Sequence, residues 1–158
     1  MSLVFVDTNV LLYCVDDRDP AKRDQARRWI AACWERRCGR VGTQVLNAFY
    51  SNARKKFPSA LSAGDARAEV RRYQNWRPWV IDHPTVETAW AIESRYQLSY
   101  WDALIVSAAQ QQGCEWLLTE DLQHNQQIDG VRVINPFLLG PDVLDLPNLP
   151  NLPGEANP

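Results

Sequence analysis

Two periodicities of apolar residues divide this 158-residue chain. Short apolar runs at residues 3–6, 79–81, 116–118 and 131–134 have the length and bounding residues of buried strands, and Val41 marks another brief one. Between them, apolar positions recur every three or four residues. Ala26, Trp29, Ile30, Cys33 and Trp34 form one such stripe, the mark of a helix with a single buried face. Asp19-Pro20 supplies its cap and first-turn proline, and Gly39 ends it just past Arg37. The same reasoning predicts a short helix over 8–13 and one over 43–56, capped by Thr43, with Leu46, Phe49, Tyr50 and Ala53 inward. Further helices are predicted over 62–75 (opened by Ser62-x-x-Asp65), over 84–97, and from Ser99 to the stop at Gly113.

Strands separated by helices predict right-handed crossovers. The expected fold is therefore α/β, a three-layer sandwich with a mainly parallel sheet of about five strands and helices on both faces. No internal break interrupts the pattern, so residues 1–139 are expected to form one domain. Beyond it, Leu146-Pro147-Asn148-Leu149-Pro150-Asn151-Leu152-Pro153 is spaced by prolines that exclude a helix or a central strand. Residues 140–158 are expected to be an extended or disordered tail.

Composition narrows the class. Apolar content of 46% and charged content of 23% suit a soluble globular protein, and no run approaches the roughly 20 apolar residues of a membrane span. Asp7 interrupts the apolar start, which predicts no signal peptide and a cytoplasmic location. Cys14, Cys33, Cys38 and Cys114 form no Cys-x-x-Cys pair, and only His83 and His124 could join them. Reduced thiols are expected rather than a zinc cluster, with Cys33 and Cys114 in the core. The net charge of −2 hides an asymmetry: residues 1–81 carry +7 and residues 82–158 carry −9. A polyanion-binding surface beside a cation-binding one would look like this, and so would basic helix faces that are merely solvated, such as those of Arg27, Arg28, Arg36 and Arg37.

The acidic half contains the candidate chemistry. Asp7 follows the first strand, Asp121 follows the strand at 116–118, and Asp102 stands at the start of the helix feeding that strand. All three therefore fall near the carboxyl edge of one sheet, where open α/β folds bind ligands. Each also has a structural role open to it. Asp7 can cap the helix at Thr8, Asp102 can answer the cap at Ser99, and Asp121 can head a turn. Together, three carboxylates repel unless a cation joins them. Mg²⁺ takes such oxygen ligands, keeps several waters, and can activate water and stabilise a phosphate under attack. Thr8, Asn9 and Thr119 are placed to orient the carboxylates. A phosphatase or phosphotransferase would need a phosphate loop or a nucleophilic Asp motif, and neither is evident.

At these residues the chain resembles the PIN-domain family, in particular VapC-type toxins of bacterial toxin–antitoxin pairs. The matching segments are Val6-Asp7-Thr8-Asn9-Val10-Leu11-Leu12-Tyr13, Leu98-Ser99-Tyr100-Trp101-Asp102-Ala103-Leu104-Ile105 and Leu118-Thr119-Glu120-Asp121-Leu122-Gln123-His124. The resemblance implies a Rossmann-like parallel sheet and Mg²⁺- or Mn²⁺-dependent ribonuclease activity with Asp7, Asp102 and Asp121 as metal ligands. It also implies a homodimer, and a small antitoxin that fills a groove beside the site and offers a cation to the carboxylates. One position departs from the family. Its second acid belongs in Gln44-Val45-Leu46-Asn47-Ala48-Phe49-Tyr50, where this chain has Ala48. Asn47 is turned about 100° away and substitutes poorly. Reduced or absent cleavage is expected, either because the chain diverged to a non-catalytic RNA- or protein-binding role or because an active toxin was disarmed by substitution. Arg54, Lys55 and Lys56 are candidate RNA contacts that could equally serve the helix dipole. Trp76, Trp79, Trp90 and Trp101 are candidate base-stacking faces, with most expected in the core.

Overall fold

The computed structural model describes residues 2–146. Three apolar runs become the centre of the sheet: β1 (Val4–Val6), β3 (Trp116–Leu118) and β5 (Val131–Ile134). β1 and β3 are buried along their whole length, which explains why neither alternates polar and apolar residues. β2 (Gly39–Arg40) and β4 (Gln127–Ile128) form the edges, giving the order β2-β1-β3-β5-β4. All pairings are parallel except β4 with β5. The expected α/β sandwich is therefore present, with one antiparallel edge.

The helices are α1 (Thr8–Tyr13), α2 (Pro20–Glu35), α3 (Thr43–Lys56), α4 (Ala63–Arg72), α5 (His83–Tyr96) and α6 (Tyr100–Gln111). Asp19, Ser62 and Ser99 cap α2, α4 and α6 through their side chains, as expected. Helices α1–α4 pack on one another, while α5 and α6 form a second packed pair. The α5–α6 pair is pinned by a buried bond from Ser107 Oγ to Thr85 O at 2.7 Å. Trp29, Trp116, Phe5, Phe49 and Leu117 are among the largest fully buried side chains.

Four expectations need correction. Residues 79–81 make no strand. Trp79 forms a single parallel bridge to Gly42, then the chain turns as Asp82 caps α5, and Val80 is left 69% exposed. The brief strand marked at Val41 lies two residues earlier, at β2. Thr43 does not cap α3: Gly42 holds that position, and the Thr43 hydroxyl instead donates to Trp79 O at 3.3 Å. Residues 141–145, placed in the tail by composition, form a 3₁₀ turn against α2, where Arg36 grips Asp145 at 2.8 Å. The rest of the proline-spaced repeat, from residue 147, lies outside the described residues. All four cysteines are free thiols, with Cys33, Cys38 and Cys114 buried. Among the described residues, no helix is long and apolar enough to cross a membrane.

Candidate active site

Asp7 N–H donates to Leu118 O of β3 at 3.0 Å, so the chain leaves the sheet with the Asp7 side chain at its carboxyl edge. The residue is 8% exposed. Its Oδ1 accepts the Thr8 N–H at 2.7 Å, and its Oδ2 accepts the Thr119 hydroxyl at 2.9 Å and Asn9 Nδ2 at 3.4 Å. Asp7 thus does cap α1, and Thr8 serves it through the main chain. Thr119 follows β3 directly. Its oxygen also accepts from Asn9 Nδ2 at 3.0 Å and from the Asp121 N–H at 3.1 Å. Asn9 Nδ2 reaches Asp121 Oδ2 at 2.9 Å as well. Asn9 and Thr119 therefore bridge the first and last acids by hydrogen bonds.

Asp102 enters from the first turn of α6, where its N–H donates to the Ser99 hydroxyl at 3.2 Å. Asp7, Asp102 and Asp121 all line one cavity of about 480 Å³. Burial raises the Asp7 carboxyl to about 6, from an ordinary 3.8. The Thr8 and Thr119 hydrogen bonds pull it down, and the charges of Asp121 and Asp102 push it up further. Asp102 is raised too, by burial first and by the Asp121 charge, against a lowering bond from Ser99. The acids feel one another, and protonation is how the site relieves the strain when no cation is there.

Ala48 lines the same cavity, flanked one helical turn away on each side by Gln44 and Asn52. Asn52 Nδ2 donates to Ala48 O at 2.8 Å, and Gln44 Nε2 to Trp101 O at 3.3 Å. Gln44 Oε1 is buried with no hydrogen-bond partner. An orphaned carbonyl oxygen beside carboxylates is what a hard cation or its hydration shell would satisfy, and the donor set here is all oxygen, as Mg²⁺ or Mn²⁺ prefers over zinc. Yet among the described residues, no three His, Cys, Asp or Glu side chains stand close enough to enclose an ion by themselves. The residues fit a largely hydrated cation, not a closed cage.

Several lining residues were not anticipated. Glu120 accepts the Tyr13 hydroxyl and pairs with Lys22 at 2.9 Å, which holds both Tyr13 and Lys22 above their ordinary pKa. Its position between Thr119 and Asp121 was the available signal. Arg18 reaches the cavity from the α1–α2 loop, stacked 5.2 Å above the Phe57 ring and paired with Asp16. A loop residue carries no periodicity to betray it. Of the basic trio, only Lys56 lines the cavity: Arg54 bonds Leu61 O and Lys55 points to solvent. On α2, Arg27 bonds Cys14 O and Arg36 holds Asp145, so both have structural work. Among the tryptophans, Trp76 is buried and Trp79 bonds Thr85 Oγ1 at 2.9 Å, while Trp90 and Trp101 are exposed. Only Trp101 of the four lines the cavity.

The PIN domain family profile matches residues 4–127, and the chain belongs to that family. No curated protein sequence matches it. Among solved structures, a toxin–antitoxin complex from Klebsiella pneumoniae superimposes with a TM-score of 0.63 at 20% identity, covering 85% of this chain and 98% of that one. DNA-bound VapBC from Salmonella typhimurium gives 0.57 at 16% identity, covering 84% and 97%. The sarcin–ricin loop cleaving toxin VapC20 of Mycobacterium tuberculosis gives 0.57 at 19% identity, covering 72% and 86%. At these identities the likeness is one of fold.

Proposed function

We propose that the chain is a divalent-metal-dependent endoribonuclease of the toxin class, hydrolysing RNA phosphodiester bonds with activity weakened by Ala48. The observation that carries this reading is the Asn9–Thr119 bridge, which joins Asp7 to Asp121 at the sheet's carboxyl edge while Asp102 faces the same cavity. A bound Mg²⁺ or Mn²⁺ would supply positive charge to offset the three acids, polarise the scissile phosphate and favour the attacking water. Asp7, Asp102 and Asp121 would hold it. The Thr8 N–H and the Thr119 hydroxyl keep the Asp7 carboxylate oriented before the cation arrives. Where the family places a further acid, Ala48 offers no oxygen, so the orientation of water relies on neutral groups such as Gln44.

An antitoxin partner belongs to the same proposal. The named complexes among the structural neighbours motivate it. A second cavity of about 320 Å³, lined by Leu11, Val15, Ile30, Ala31 and Phe49 with Arg27 and Glu69 at hand, offers apolar side chains of a small protein a seat.

Restoring the acid tests the reading. Ala48→Glu is expected to cleave a fluorogenic single-stranded RNA in Mg²⁺, at least tenfold faster than the chain with Ala48, and Asp7→Ala in that background is expected to abolish it. A second reading, a binding module that kept the fold and lost the chemistry, is favoured by Ala48 and by the absence, among the described residues, of three acids close enough to enclose an ion by themselves. RNA binding by an Ala48→Glu variant that never cleaves would select it.

A further inference from the structure

Trp101 is 65% exposed, yet its neighbour in sequence is Asp102 and its side chain lines the acidic cavity. The ring meets the edge of Tyr100, at 5.2 Å between centroids, and does not belong to the core, so a large apolar surface is left in water beside a polar site. The main chain beneath is fixed: Ser99 caps α6, and Gln44 Nε2 holds Trp101 O. The indole is thus presented from a rigid first turn of helix.

Helix α3 lies along the same cavity and gives it a length. Gln44, which touches Trp101 O, and Lys56 are both lining residues. At the α-helical rise of 1.5 Å per residue, these twelve steps span about 18 Å, with Ala48 about 6 Å from the Trp101 end. At the far end, Lys56 makes no ion pair among the described residues, and Arg18 lies over Phe57. The cavity therefore runs from an exposed π-face, past the carboxylates, to the Lys56 ammonium and the Arg18–Asp16 ion pair.

We infer that Trp101 is a stacking platform for one unpaired base next to the scissile phosphate, with Lys56 receiving a phosphate farther along the same strand. This inference rests on the RNA reading above and sharpens it: the substrate at this site is single-stranded, because a base within a duplex keeps both faces covered and its stacking partner is another base. Stacking on an aromatic ring is tolerant of sequence, so the platform selects for strand accessibility, not for a particular base. Trp101 here touches substrate without touching the reacting atoms.

The test is binding in EDTA, where cleavage does not interfere. Fluorescence anisotropy would follow a labelled, unstructured 12-nucleotide RNA and a duplex of equal length with wild-type protein, Trp101→Ala and Trp101→Phe. Trp101→Ala is expected to weaken single-strand binding by about 5- to 150-fold, the range for loss of one base–aromatic stack, while duplex binding changes less than twofold. Trp101→Phe should recover most of the affinity, which a merely structural role would not require. Equal losses for both RNAs, or single-strand affinity unchanged in Trp101→Ala, would overturn the proposal while leaving the nuclease reading intact. A change in self-association by sedimentation, with RNA affinity intact, would assign the ring to a protein contact and also overturn it. Failure of the wild-type chain to bind the single strand at all sinks both this inference and the RNA reading.

Discussion

Replacing Asp7 by Asn should make the metal-free protein more stable above neutral pH. The Asp7 carboxyl stands at about 6 in the folded chain against 3.8 ordinarily, so the fold favours its protonated form. Stability from this group is fully present below about pH 4 and is lost as pH rises through about 6. At 1.36 kcal/mol per pKa unit, a shift of about two units costs about 3 kcal/mol once the group is charged. Asn removes that charge at nearly constant shape. It also replaces the Oδ2 acceptor, so the Thr119 hydroxyl must turn elsewhere, at about 1 kcal/mol. The net expectation is a gain of about 1–2 kcal/mol at pH 8, or roughly 3–6 °C in Tm for a domain of this size. Differential scanning calorimetry in EDTA at pH 4 and pH 8 measures it. The advantage should vanish at pH 4, where wild-type Asp7 is protonated. Added Mg²⁺ at pH 8 should raise the wild-type Tm and leave the Asn variant unmoved. A variant less stable than wild type at pH 8, or a difference that ignores pH, would refute the reasoning.

Two further substitutions probe the scaffold. Gly39→Ala would put its Cβ 2.5 Å from Trp76 Cη2, a ring wedged against Trp34 at 4.8 Å, so a loss of about 1–3 kcal/mol is expected in urea unfolding. Wild-type stability in that variant would mean the indole cluster yields freely. Arg36→Ala frees Asp145, which is itself 64% exposed, so global stability should change by less than about 1 kcal/mol. Hydrogen exchange at Val143 should nonetheless accelerate, because the 3₁₀ turn loses its grip on α2. A Tm drop of many degrees without faster local exchange would contradict that division.

What could be read from the sequence follows from what carries a local signal. Asp19-Pro20 and Ser99-x-x-Asp102 were legible because a cap is a short-range device: the side chain satisfies an N–H three residues away in either setting. The buried strands β1 and β3 were legible because both faces are covered, leaving an unbroken apolar run. Residues 79–81 imitate that run, but their fate is decided by Asp82 and Thr85, which turn the chain into α5 after one bridge. β4 has only two residues and no period to detect. Its signal lay instead in Asp129-Gly130, whose φ values of 46° and 88° form the tight turn that pairs Ile128 with Val131. The three acids could be singled out because each stands at or near the boundary of an element. Trp101 is one of four tryptophans offered as base-stacking faces, with nothing local to separate it from Trp76, Trp79 and Trp90. Gln44 is not singled out, since a polar residue in a helix looks alike whether it faces solvent, core or cavity.

Ala48 bears on the charge balance of the cavity as much as on its ligands. Asp16 and Glu120 on the same cavity are offset by Arg18 and Lys22, so Asp7, Asp102 and Asp121 leave −3 when ionised, and a divalent cation would leave −1. With the family's further acid the same sum would be −4 and −2. The lighter cluster holds a cation more weakly, since fewer carboxylates attract it. It also repels an incoming phosphate less, and Lys56 on the same cavity acts in the same direction. On the proposed nuclease reading, Ala48 would therefore shift the site from turnover towards retention, keeping what would grip RNA and losing part of what would cut it. The two functional readings are then two positions on one scale, set by how much cation the remaining carboxylates hold at cellular concentration. Asp7 is raised chiefly by its own burial, with the Asp121 and Asp102 charges as smaller contributions, so it is the most buried of the three acids that such a cation would have to compensate.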